Sequence, residues 1–285
     1  MTRLRSKIAK LVPRGLKPFA KRQIRVLDQF CGYPASGRRP GVVLMLHVGC
    51  CGSTVLANLL AQNPSVFWDG KLPRKARGLY GDGAKTLDIG RWTRRQFTIS
   101  GDRFYGFEYK ILTDQYSPML GTTTPDFLEI CKQIGVTHYI LLTRRNTLRH
   151  VVSHYASKNR GAWHASKADK VKKKRFALDI EYITTGSAPG RPLLDYLQEV
   201  EDAHDEVRGL LAEEKFLDVE YEADIDEKSA EHAYRKICSF LGVEPGSVNL
   251  HNVKINPYPM SSVVENFDEI TRTLDGTKFD WMIEG

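Results

Sequence analysis

The sequence predicts an α/β protein: one parallel sheet flanked by helices on both faces, forming a single domain. Apolar runs of strand length alternate along the chain with stretches of helical periodicity, as they do where crossover helices join parallel strands. Hydrophobic residues make up 41% of the 285, enough to fill one large core. Neither an internal repeat nor a low-complexity tract interrupts the alternation.

The elements follow in order. Residues 41–48 (GVVLMLHV) read as a buried strand, and 53–64 (STVLANLLAQNP) as a helix stopped by Asn63 and Pro64. Strands are expected at 65–69 (SVFWD) and 103–111 (RFYGFEYKI). A helix with Pro125 near its start closes on Gly135, the β-rich run 137–143 (THYILLT) comes next, and 146–158 is helical. Residues 191–214 form a long acidic amphipathic helix, 215–221 a strand, and 228–242 a helix ending on Gly242. Two stretches break the rhythm and read as long loops of the kind that form lids or substrate walls: the Gly-rich 71–92 and the basic 158–175.

The charge is unevenly placed. The net charge is +8, and nine of the 42 Lys/Arg but only one of the 34 Asp/Glu lie in residues 1–28, leaving 33 of each in the remainder. A basic arm and linker (1–40) therefore precedes a domain (41–285) without basic excess, which argues against nucleic acid as partner. Leu4, Ile8 and Leu11 share one helical face of the arm. That face suits either docking on an anionic membrane or a solvated tail. No apolar stretch reaches the roughly 18–20 residues of a membrane span. Five scattered cysteines without metal-ligand spacing fit a reducing compartment. The expected location is cytoplasmic, with the inner membrane face as a peripheral alternative.

Two motifs point to anions. Residues 49–54 (GCCGST) join a buried strand to a helix N-terminus. Unpaired backbone N–H groups and the helix dipole attract an anion there, and Ser53 and Thr54 add hydroxyls. The loop lacks the lysine of a nucleotide-hydrolysing P-loop, and an ordinary turn with Ser53 as N-cap has the same sequence. Further on, Arg145 ends a strand and Ser153 lies eight residues later, about two turns into the next helix. If that helix packs back on the loop, guanidinium and hydroxyl can close on one phosphate.

These motifs, in this order, resemble those of the sulfotransferases that use 3′-phosphoadenosine 5′-phosphosulfate (PAPS). Further segments extend the resemblance: 68–75 (WDGKLPRK), 105–116 (YGFEYKILTDQY), 216–225 (FLDVEYEADI), 240–245 (FLGVEP) and 253–284. They look like bacterial enzymes acting on sugars, glycolipids and small metabolites. The resemblance implies a P-loop-like fold, PAPS as co-substrate without a metal, and sulfuryl transfer to a hydroxyl or amine of a small-molecule or glycolipid acceptor. It places the 5′-phosphosulfate on Gly49, Cys50, Cys51, Gly52, Ser53 and Thr54, and the 3′-phosphate on Arg145 and Ser153. Trp163, Tyr221 and Phe267 are candidate adenine walls, and Lys254 and Asn256 candidate donor contacts.

The pattern departs from the family at two positions. A basic residue usually stands where this chain has Cys50, and a neutral thiol stabilises a leaving oxygen poorly. Lys110 is the first candidate to replace it, then His47, Lys71 and Arg144. The family's W-D-G-E glutamate is Lys71 here, which leaves Asp69 as expected general base and His47 in reserve. A P-loop kinase or other nucleotide-binding protein, and a non-catalytic relative that binds PAP (the desulfated donor), are the alternative readings.

Overall fold

The computed structural model describes residues 40–161, 173–186, 189–250 and 256–284. Five strands form one wholly parallel sheet: β1 (Val42–His47), β2 (Val66–Lys71), β3 (Phe104–Lys110), β4 (His138–Thr143) and β5 (Phe216–Glu220), in the order β2-β3-β1-β4-β5. The helices are α1 (Ser53–Leu60), α2 (Leu72–Tyr80), α3 (Ile89–Phe97), α4 (Ser117–Leu120), α5 (Thr124–Gln133), α6 (Thr147–Arg160), α7 (Leu193–Leu210), α8 (Ala230–Leu241), α9 (Met260–Val263) and α10 (Phe267–Leu274).

Strand alternation assigns the two faces. Val43 and Met45 of β1 join Ile140, Leu142 and Val219 in a core closed by α1 and α8. Leu44 and Leu46 point the other way with Tyr105, Phe107, Tyr139 and Leu141, against α2, α3 and α5 to α7. Each such side chain taken from water contributes roughly 1.5–3 kcal/mol. All six side chains of β1 are buried, as a central parallel strand requires.

The predicted loop at 71–92 is a correction. It folds into α2, a 3₁₀ segment at Gly81–Thr86 and the start of α3. Leu72, Pro73, Ala76 and Trp92 bury one face, and the glycine expected to loosen the stretch instead stops a helix, Gly81 at φ 58°. Residues 162–172, most of the second expected loop, lie outside the described residues, as does the arm. Among the described residues no helix is long and apolar enough to cross a membrane.

β2 and β3 meet through a register shift. Trp68 pairs with Gly106 and Lys71 with Glu108, so β2 carries one extra residue at Asp69-Gly70, with Gly70 at φ 73°. Gly106 is obligatory here, because a Cβ would overlap the Trp68 ring. Gly106→Ala is expected to cost about 1–3 kcal/mol by overpacking, measurable as a lower urea midpoint at unchanged slope. An unchanged midpoint would mean that the Trp68 ring moves aside freely.

Candidate active site

β1 and β4 are neighbours, yet the chain leaves β1 for β2 on one side and β4 for β5 on the other. The crevice between their carboxyl ends is the topological switch point, where open α/β sheets bind ligands. The loops after β1 and β4 are the two anion motifs. A cavity of about 1030 Å³ lies along this edge, from Lys71 at the end of β2 to Tyr221 after β5.

The first loop turns through left-handed backbone at Gly49 (φ 98°), Cys50 (φ 44°) and Gly52 (φ 88°). Cys50 is the one non-glycine residue in that region among the described residues, at a cost of about 1–2 kcal/mol. Arg144 holds the turn, its Nη1 donating to the Cys50 carbonyl at 2.7 Å. Gly52, not Ser53, is the N-cap of α1, and no side chain caps the helix. A Cβ on Gly52 would lie 2.8 Å from Ile225 and 3.3 Å from Tyr221, so the glycine lets the turn after β5 close on the loop. Gly49, Cys50, Gly52, Ser53 and Thr54 line the cavity. Cys51 does not: its side chain is fully buried in the core, and burial pushes its thiol up to about 12. Burial also raises the Cys50 thiol, so it is no anion and no substitute for a cation.

The second loop is clamped by Glu222. Its carboxylate accepts from the backbone N–H of Arg145 (2.9 Å) and Asn146 (3.2 Å) and lies 3.7 Å from Arg144 Nε. Asn146 caps α6 by accepting from Arg149 N at 2.7 Å. The clamp sends the two arginines in different directions. Arg144 turns inward, its guanidinium 4.4 Å over the Tyr221 ring. Arg145 turns outward, its side chain 56% exposed and 3.8 Å from Glu220. Ser153 lines the cavity and Arg145 does not. Arg149, one turn before Ser153 on the same helix face, lines it too.

His47 and Glu108 form a buried pair on the α1 side of the sheet. His47 follows Val43 and Met45 along β1, and Glu108 follows Phe104 and Gly106 along β3. His47 Nε2 lies 3.3 Å from Glu108 Oε2, with side-chain exposures of 0% and 3%. Trp68 Nε1 donates to Glu108 Oε1 at 3.2 Å. Burial raises the Glu108 carboxyl, but His47, Lys71 and Trp68 outweigh it and hold it below its ordinary value. Burial lowers the imidazole pKa against the opposing pull of Glu108. Lys110 stands opposite His47 in register, and its Nζ lies 2.8 Å from where a Cβ on Gly49 would be. The ammonium thus lies over the loop in space that glycine leaves open.

Asp69, the expected general base, is bonded through both carboxylate oxygens. Strand alternation puts its side chain on the face opposite Trp68 and Glu108, where Tyr105 Oη donates to Oδ2 at 2.7 Å and Lys75 bonds Oδ1. Asp69 is not among the cavity walls. Tyr221 and Asn256 line the cavity, and Phe267 packs against the core instead. Trp163 and Lys254 lie outside the described residues. Among the described residues, no cluster of three His, Cys, Asp or Glu forms a metal site.

Six Lys/Arg face the cavity, at 71, 74, 110, 144, 149 and 158, and one acid, Asp226. Sequence reasoning missed Glu108, Arg74 and Arg149. Glu108 had a signal, as the one acid in an otherwise buried strand; Arg149 had another, its i,i+4 spacing from Ser153.

No protein-family model matches the chain, and no curated protein matches its sequence. Among solved structures, the chain is similar to mouse sulfotransferase SULT7A1 complexed with PAP, at 12% identity and a TM-score of 0.36, over 87% of this chain and 89% of that one. At that distance the likeness does not reach to ligand or chemistry.

Proposed function

We propose that the protein is a PAPS-dependent sulfotransferase, moving a sulfuryl group to a hydroxyl of a small-molecule or glycolipid acceptor. The observation that carries this is the charge on the donor side of the cavity: Lys110, Arg144, Arg149 and Lys158 against one acid, Asp226, with an uncapped helix N-terminus at the switch point. A nucleotide with separate phosphate groups at two positions suits the two loops better than a chain of phosphates on one. The 5′-phosphosulfate sits on the 49–54 loop, with Arg144 bracing it. The 3′-phosphate is held by Arg149 and Ser153, and Tyr221, Ile225 and Leu250 supply an apolar wall for the base.

In the reaction, His47 takes the acceptor's hydroxyl proton. Nε2–H faces Glu108, which leaves Nδ1 as the basic nitrogen, and Glu108 stabilises the imidazolium that forms. The acceptor oxygen forms its bond to sulfur as the bridging S–O bond breaks, and PAP leaves with the electron pair. Lys110 meets the charge that develops on the bridging oxygen, the part played by the loop cation in the resembling family.

Calorimetric titration with PAP separates the two arginines. Arg149→Ala is expected to lower affinity by about tenfold or more, since a hydrogen bond to a charged group is worth roughly 1.5–3 kcal/mol. Arg145→Ala should change it by less than about threefold, well under the net worth of one such bond. The reverse ranking would restore Arg145 as the 3′-phosphate ligand.

A further inference from the structure

The β2 side of the cavity holds charge that the donor's two anchor points leave unused. Lys71 ends β2 half-buried, Arg74 stands exposed on the first turn of α2, and both face the cavity. Neither forms an ion pair or a side-chain hydrogen bond among the described residues, although eleven Lys/Arg–carboxylate pairs occur elsewhere among them. They are close enough to Lys110 that both depress its pKa, after burial, and Arg74 acts in the same way on Tyr116. Glu108 is the one carboxylate whose pKa Lys71 is seen to lower, and it also faces His47; like charges held together cost free energy, which a bound anion relieves.

The floor beside them is polar and unsatisfied. Tyr116 is 1% exposed, and its hydroxyl has no hydrogen-bond partner among the described residues. Gln115 spends its amide N–H groups on Val48 O (2.7 Å) and Thr185 Oγ1 (3.0 Å), leaving its carbonyl oxygen buried and unpaired. Both residues line the cavity. A buried donor and a buried acceptor beside two unpaired cations match a molecule that carries hydroxyls and a negative charge.

We infer that the acceptor is itself an anion: a polyhydroxylated molecule bearing a carboxylate, sulfate or phosphate group that Lys71 and Arg74 bind. Tyr116 and Gln115 contact its hydroxyls, and Lys71, which pairs in register with Glu108, keeps the charged group next to the His47–Glu108 pair. This rests on the sulfotransferase reading and adds the acceptor's charge to it.

The test uses full-length protein saturated with PAP and matched probes: para-nitrophenyl glucuronide against para-nitrophenyl glucoside, whose rings differ only in carboxylate against hydroxymethyl. The glucuronide is expected to bind about tenfold more tightly, the worth of one charge-assisted hydrogen bond. Arg74→Gln and Lys71→Gln should each erase that preference while PAP affinity stays within about twofold, less than one hydrogen bond is worth. Equal binding of the two probes to the wild-type protein overturns the inference and leaves the donor site standing. A matching loss of PAP affinity in either variant also overturns it, because the cations would then belong to the donor. Failure of the wild-type protein to bind PAP at all removes the sulfotransferase reading and the acceptor inference with it.

Discussion

His47→Asn is expected to lower turnover by about 10²–10⁴-fold, the usual contribution of a positioned general base, with PAP affinity unchanged. The imidazole acts only when neutral. Burial sets its pKa below the ordinary 6.5 despite Glu108, so in the wild-type protein kcat/KM should be flat just above neutrality and fall only on the acid side of that value. Glu108→Gln removes the neighbouring carboxylate charge that raises the histidine. The acid limb should then move to still lower pH while turnover drops, because the imidazolium loses its counter-charge. A structural role for the pair would alter stability without moving the limb. Turnover by His47→Asn at the wild-type rate would remove the histidine from the chemistry.

Lys110→Met is expected to cost about 10²–10³-fold in turnover, as loss of one donor to a developing negative charge does at other sites. Here the protonated form is the active one. Burial sets its pKa below the ordinary 10.5, with Lys71 and Arg74 adding to the shift, so kcat/KM should decline at alkaline pH before that value. Together, His47 and Lys110 give a bell-shaped profile. The methionine variant should lose the alkaline limb and keep the acid one. A variant that keeps both limbs and full turnover would assign the bridging-oxygen role to another cation.

Much of this was legible in the residues themselves. The strands β1 and β4 are short apolar runs, and the helices after them carry clear starts and stops, so the two anion loops could be located from the chain alone. What was not legible depends on distant partners. Arg144 and Arg145 are adjacent and chemically identical, and their opposite directions are set beside Glu222, which lies 77 residues beyond Arg145 and clamps its N–H. Asp69 is in the expected place in the chain, but its carboxylate is taken up by Tyr105 and Lys75, and one extra residue in an edge strand brings Lys71 opposite Glu108. The glycines at 78 and 81 suggested a loop where buried Leu72, Ala76 and Trp92 in fact build helices.

The central claim is that the cavity takes a nucleotide with separate 3′ and 5′ anions. Calorimetry of the full-length protein with PAP in EDTA, and with ATP in magnesium, tests it most directly. The expected result is one PAP per chain, with ATP at least about a hundredfold weaker, a difference of roughly 2.7 kcal/mol. Binding of magnesium-ATP as tightly as PAP would contradict the assignment and make the protein a nucleotide-binding P-loop relative of another kind.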